Sequence, residues 1–312
     1  MLLFIIQLYK LLGDLNMFNV FLFILLAFLW GSSFLVVKDV VHQIDPLFGA
    51  FLRGFIALIF FSILYLVRRK SVRVAKKDLW KPWVLGLLLM GFPFVVAFWG
   101  QKYVPAGLGG IFNSTVPIWT FIMGSILLKG QDKFSWTRAS GVFLGICGVL
   151  LIFTPKFMAG AADNLALLGA GALLMMAVFY AMGNVMIKYV LNTTPTLTIE
   201  GNIFQQHIMG SAFLFLFFLS FGGTVGAEVL NAKIIMANVY IAVFCSAIAL
   251  LIMFRLIHQW GALRFSMVTY LVPIVAITLD LLLNGVVPNK YEIFGMLIIF
   301  ASLFLVERNL SS

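Results

Sequence analysis

Long apolar stretches, interrupted at short polar intervals, run the length of the chain. Ten of them read as membrane spans: roughly 18–37, 47–67, 83–101, 105–128, 137–154, 166–187, 197–219, 236–257, 264–284 and 291–306. A helix needs about 20 mostly apolar residues to cross a hydrocarbon core ~30 Å thick. A membrane barrel would instead need segments of about ten residues with alternating polarity. Runs such as residues 142–153 do not alternate. The pattern therefore predicts an all-α membrane protein of ten transmembrane helices, with no room for a soluble domain. Residues 1–16 are apolar but too short to span, and they lack the basic start and small-residue cleavage site of a signal peptide. They read either as a short interfacial helix or as an extension ahead of a start at Met17.

The halves resemble each other. Residues 26–40 read LAFLWGSSFLVVKDV and residues 176–190 read MAVFYAMGNVMIKYV, so that Ala27, Trp30 and Lys38 meet Ala177, Tyr180 and Lys188 at an offset of 150. Pro117 in STVPIW meets Pro273 in YLVPIV at an offset of 156. Each half then holds five helices, over residues 17–155 and 156–312. An odd number turns the second half upside down relative to the first. Many secondary transporters have this inverted repeat, with a binding site near the midplane between the repeats.

Composition narrows the class. Of 312 residues, 63% are hydrophobic and 10% charged, against about 25% charged in soluble domains. A cytosolic enzyme and a disordered chain are both excluded. The net charge of +10 could suggest nucleic acid, but seven of the 21 Lys and Arg lie between Arg68 and Lys81, and most others sit at the ends of apolar runs. A basic loop beside a span marks the cytoplasmic side. With the N-terminus inside, 14 cations fall on inner segments and five on outer ones, which predicts that both termini are cytoplasmic. Cys147 and Cys245 both lie in apolar runs, and their spacing suggests neither a disulfide framework nor a zinc site.

Candidate chemistry concentrates at mid-span. Proline donates no amide hydrogen bond and crowds the carbonyl four residues back, so Pro117 and Pro273 free the carbonyls of Asn113 and Thr269. Asn113, Ser114 and Thr115 flank one proline, and Thr269 and Tyr270 the other. Such groups at membrane depth belong where protein or a water-filled cavity satisfies them, so these segments read as two walls of a pocket. The plain alternative is a pair of kinks capped by neighbouring hydroxyls. Trp30 and Ser33 are candidates beside their counterparts Tyr180 and Asn184, as is Trp99 with Gln101. Ser32 and Ser33 could equally bond across helices or to their own backbone, and Trp30 and Trp99 could be interfacial belt residues. Arg53 lies ~10 Å deep in the second span and Asp280 ~7 Å deep in the ninth, counted at 1.5 Å per residue. They are expected to pair or share a polar network, as a gate or as a static tie. Arg255 can snorkel to the interface or attract a carboxylate. His207 reads as a hydrogen-bonded packing residue beside Gln205 and Gln206; Gln206 falls opposite Arg53 in the repeat. Glu200 suits a helix N-terminus. Gly141, Gly145 and Gly148 form a small-residue stripe that lets backbones approach, for packing within a monomer or, alternatively, for a dimer.

Trp30-Gly31-Ser32-Ser33-Phe34 at the end of the first span resembles the opening of EamA-type proteins of the drug/metabolite transporter superfamily. Pro117, Pro273, Arg53, Gly141 and Gly145 match that family's pattern too, and the resemblance covers residues 17–308. It departs after the fourth and ninth spans, where members commonly carry Gly-Glu; here Gly130-Gln131 and Gly285-Val286 stand. The resemblance implies an inner-membrane carrier that exports amino acids or related metabolites. The expectations are a small-molecule substrate, a lipid bilayer as surroundings, and no nucleic acid, cofactor or metal. Drug-like cations or nucleotide-linked metabolites are the alternative cargo, and a structural or sensory membrane protein the alternative class. Three histidines, no HExxH and no cluster of carboxylates in one span leave no machinery for an enzyme.

Overall fold

The structure is a computed structural model that describes residues 17–104, 106–127, 136–158, 164–221, 223–284, 287 and 289–308. Residues 1–16 and the two departures from Gly-Glu lie outside the described residues. The helices are α1 (Met17–Gln43), α2 (Pro46–Val67), α3 (Lys76–Tyr103), α4 (Ala106–Asn113), α5 (Val116–Leu127), α6 (Trp136–Met158), α7 (Asn164–Thr193), α8 (Ile199–Ser220), α9 (Ala232–Trp260), α10 (Ala262–Ser266), α11 (Val268–Asn284) and α12 (Lys290–Arg308). Among the described residues there is no strand. Helices α1, α2, α3, α7, α8 and α9 are long and apolar enough to cross a membrane. Shorter apolar stretches occupy Val116–Leu127, Ala139–Gly148, Ala262–Val275 and Ile293–Ser302.

Short polar residues set the helix ends. The Asp45 carboxylate accepts from the Leu47 and Phe48 amides at 2.9 and 3.0 Å, with Pro46 in the first turn of α2, where its missing N–H costs nothing. Thr198 Oγ1 caps α8 through the Gly201 amide. Gly261, at φ +82°, ends α9 and donates to the Ile257 carbonyl at 2.9 Å, as a C-terminal glycine does. The corresponding residue after α3 is Pro105, which has no N–H to donate. There the Lys38 ammonium supplies the bonds, reaching the carbonyls of Gln101 and Val104, each at 2.8 Å.

The prolines act differently in the two halves. The chain breaks at Ser114–Thr115, so Pro117 falls in the first turn of α5 rather than at a kink in a continuous span. Pro273 lies inside α11, and the break there comes earlier, at Met267. The Thr269 carbonyl, which Pro273 deprives of its helical donor, accepts the Ser114 hydroxyl at 2.9 Å. Ser114 also lies 2.8 Å from the Gly110 carbonyl. One hydroxyl thus ties the broken region of one half to that of the other.

Packing respects an exchange of the halves. Helix α1 packs on α11, and its counterpart α7 packs on α4 and α5. Helix α2 packs on α9 as α8 packs on α3; α3 on α7 as α9 on α1; and α6 packs on its own counterpart α12. Glycines permit the closest of these approaches. On α6, a Cβ at Gly148 would stand 2.8 Å from the Gly295 carbonyl, and one at Gly145 2.3 Å from the Tyr270 ring. The small-residue stripe is therefore occupied within the chain. Large apolar side chains such as Leu66, Phe143, Leu216 and Met236 remain exposed on the outside, as lipid-facing residues do.

Two helices carry a π-helical segment: Leu87–Gly91 in α3 and Val243–Ile248 in α9. They begin 156 residues apart, the offset that relates the two prolines. Single π-turns inside α-helices gather at functional sites, and both segments border one cavity.

Candidate functional site

A cavity lies among α1, α2, α3, α4, α5, α7, α8, α9 and α11, and its walls obey the repeat. Leu89, Met90, Phe94 and Ala97 of α3 face it, and so do the residues 156 positions on, Cys245, Ser246, Leu250 and Met253 of α9. Asn113 and Thr269 are a further pair at that offset. Trp30 with Tyr180, and Phe34 with Asn184, are pairs at an offset of 150.

Of the residues singled out from sequence, Trp30, Ser33, Arg53, Asn113, Tyr180, Asn184 and Thr269 come together on this cavity. Trp99, Ser114 and Tyr270 lie outside its lining. Helical geometry gives the reason, because neighbouring residues point about 100° apart. On α3 the lining positions are 86, 89, 90, 94, 97, 98 and 101, spaced as one helical face, and Trp99 sits off that face against Tyr103, ring centroids 5.0 Å apart. Ser114 makes the bond between the halves. Tyr270 is fully buried and donates to the Val142 carbonyl at 2.8 Å. The side chain of Asp280 lies outside the described residues, and with it the expected partnership with Arg53.

Arg53 is 8% exposed and sits on the cavity wall. Its Nε donates to Ser246 Oγ at 2.7 Å and its Nη2 to the Cys245 carbonyl at 3.3 Å. Both acceptors belong to the π-segment of α9, and Ser246 Oγ itself donates to the Ile241 carbonyl at 2.9 Å. The Phe94 ring lies 4.4 Å from the guanidinium carbon. Gln206, the counterpart of Arg53, donates to Asn202 Oδ1 at 2.8 Å. His207 also lines the cavity, with Nδ1 2.9 Å from the Ile203 carbonyl and its ring edge-on to Phe61.

The remaining polar lining includes one unpartnered amide. Gln101 is fully buried, and neither its Oε1 nor its Nε2 has a hydrogen-bond partner among the described residues. Buried polar groups are nearly always satisfied, so an unpartnered amide on a cavity wall is a place for a ligand's polar atom. Away from the cavity, Arg255 Nε donates to Asn19 Oδ1 at 3.0 Å, and the Asn19 amide donates to Gln259. This network joins the start of α1 to the end of α9.

Sequence reasoning passed over Ser246 and Cys245 because nothing in composition marks a π-segment. The one available signal was the matching offset, which puts Ser246 opposite Met90.

A family model for EamA-like transporters matches residues 17–154 and matches again at residues 167–308. The chain belongs to the EamA-like transporter family. Its two matched stretches are the two halves whose packing exchanges. Among similar EamA-like and other transporters is YoaV of Bacillus subtilis, named an uncharacterized transporter, 23% identical over 80% of this chain and 82% of that protein. A probable amino-acid metabolite efflux pump of Salmonella typhimurium is 22% identical over 91% of this chain and 93% of its own. One solved crystal structure superimposes with a TM-score of 0.76 at 15% identity, covering 95% of this chain and 100% of that one. That likeness concerns the fold alone.

Proposed function

We propose that this protein is a ten-span secondary carrier of a small metabolite, an amino acid or a relative of one, working by alternating access in the cell's inner membrane. The observation that carries the reading is a cavity whose two walls are repeat counterparts, the arrangement expected when one repeat rocks against the other around a shared site. The four shorter apolar stretches fill the places of the fourth, fifth, ninth and tenth spans. With 14 cations on one side and five on the other, both termini belong in the cytoplasm.

Differences between the halves support an alternating cycle. The C-terminal end of α3 is held on two sides. Lys38 bonds its carbonyls, and a Cβ at Gly100 would stand 2.8 Å from the Gly169 carbonyl of α7. The corresponding end of α9 is joined to α1 through Asn19, Arg255 and Gln259, and Lys188, the counterpart of Lys38, has no hydrogen bond there among the described residues. The end of α3 is thus clamped by backbone contact together with Lys38, and the end of α9 by long side chains, and exchanging these roles would move access from one face to the other.

The test is uptake into liposomes holding the purified protein, with labelled amino acids, nucleosides and cationic dyes offered in turn. Saturable uptake of one class is expected, reduced tenfold or more in Asn113→Ala. Saturable uptake that the substitution leaves unchanged would take the site away from this cavity, and uptake of no class would remove the carrier reading.

A further inference from the structure

Resting on the carrier reading, we infer that the cavity selects its solute by a single carboxylate, engaged by Arg53, and that an ammonium group on the solute is dispensable. The cargo is then an organic monocarboxylate with an apolar body. Amino acids are carried because they contain that group, and amines that lack it are rejected.

The argument begins with charge. Among the described lining residues Arg53 is the one permanent ion, and none of those residues is a carboxylate. Arginine stays protonated under all ordinary conditions and offers five N–H donors in a planar fork that suits a carboxylate. Two of the five are committed, to Ser246 Oγ and the Cys245 carbonyl. Three are left without partners among the described residues. The committed bonds tether the guanidinium to the π-segment of α9, and the Phe94 ring covers one side of it, so it is held in place before a solute arrives. A fixed cation with spare donors in a site of low polarity is a receptor for one negative charge. A dianion would call for a second permanent cation, which the described lining lacks.

The other end of the solute meets neutral groups. An α-ammonium would find amide oxygens, those of Gln101, Asn113 and Asn184, rather than a carboxylate. Gln101 carries an unpartnered donor and an unpartnered acceptor, so it can serve a hydroxyl, a carbonyl or an amine alike. Nothing there makes positive charge a requirement. A cation without a carboxylate would enter a site already holding one positive charge. Trp30, Phe34, Phe98 and Tyr180 surround the remaining volume, which suits an aromatic or branched aliphatic body.

The repeat explains why this specificity has a direction. Gln206, in the position opposite Arg53, is neutral, so a solute is anchored to α2 and α9 and not equally to α8 and α3.

The experiment uses two matched sets offered to the native protein in liposomes: phenylalanine, 3-phenylpropionate and 2-phenylethylamine; and leucine, 4-methylpentanoate and isopentylamine. Only the saturable part above empty liposomes is scored. Each amino acid and its deaminated acid are expected within about threefold of each other, and each amine at least tenfold slower. Arg53→Met should lower uptake of both acids by on the order of a hundredfold, the scale of losing a buried charged partner, and Arg53→Lys should keep part of it. If the Arg53 variants fail to fold, the comparison among solutes on the native protein still decides. An amine carried as fast as its acid, or an amino acid carried while its deaminated acid is not, overturns the inference. No uptake of any of the six overturns it too. In that case nucleoside or sugar uptake in the same vesicles keeps the carrier reading, and its absence removes that reading as well.

Discussion

Alanine in place of Gly86 is expected to lower both the stability of the protein and its uptake activity. A Cβ there would stand 2.4 Å from the Gln206 carbonyl oxygen, and that atom is backbone and cannot swing away. The contact joins α3 to α8 at the entrance to the π-segment of α3. Alanine gains about 1 kcal/mol in helix propensity over glycine, while overpacking a filled contact costs about 1–3 kcal/mol. Against rigid backbone the cost should fall at the upper end and win. The control is Gly171→Ala in α7, where a Cβ meets nothing within 4 Å. There only the propensity gain remains, so stability should rise by about 0.5–1 kcal/mol. Thermal unfolding of the two purified variants checks the pair. Gly86→Ala as stable as the native protein would mean that α3 and α8 do not meet this closely.

Widening the contact between α3 and α7 should change which end of the cavity is open. Gly100→Ala presses on the Gly169 carbonyl, and Gly169→Ala, with a Cβ 3.1 Å from the Gly100 carbonyl, presses from the other side. Ala97 lies about two turns from the C-terminal end of α3, and its counterpart Met253 about two turns from that of α9. In an alternating carrier these ends face opposite sides of the membrane. Either glycine variant should therefore speed labelling of Ala97→Cys by an impermeant thiol reagent at least tenfold and slow labelling of Met253→Cys. Both rates rising together would indicate a leak. Neither rate changing would mean that the glycine contact is not a gate.

The apolar pattern carried much of the fold. Each apolar stretch read from sequence coincides with a helix or a pair of helices, because burying backbone polar groups in hydrocarbon leaves few alternatives. What it could not place was where helices break. Pro117 suggested a mid-span kink, but a proline is also comfortable in a first turn, and the chain took that option with a turn at Ser114–Thr115. In the other half the corresponding Pro273 sits inside a helix, where Ser114 supplies the donor that the Thr269 carbonyl would otherwise lack. That compensation is a contact between distant residues, which no local reading finds. The candidate site was partly legible for a related reason. Polar residues at mid-span were found by type, but type does not tell Asn113 from Ser114 or Thr269 from Tyr270. Only the helical phase does, and phase depends on the breaks and on the two π-segments. The repeat offset holds information about both segments, since it makes the lining of α9 the image of the lining of α3.

Cys245 gives the most direct test of the claim that solute passes through the cavity between the halves. It lies on the cavity wall in the π-segment of α9, and the chain has one other cysteine, Cys147. In Cys147→Ser protein reconstituted into liposomes, a methanethiosulfonate reagent should modify Cys245 and abolish saturable uptake, and the transported solute should protect against modification. Complete modification with uptake unchanged would contradict the account.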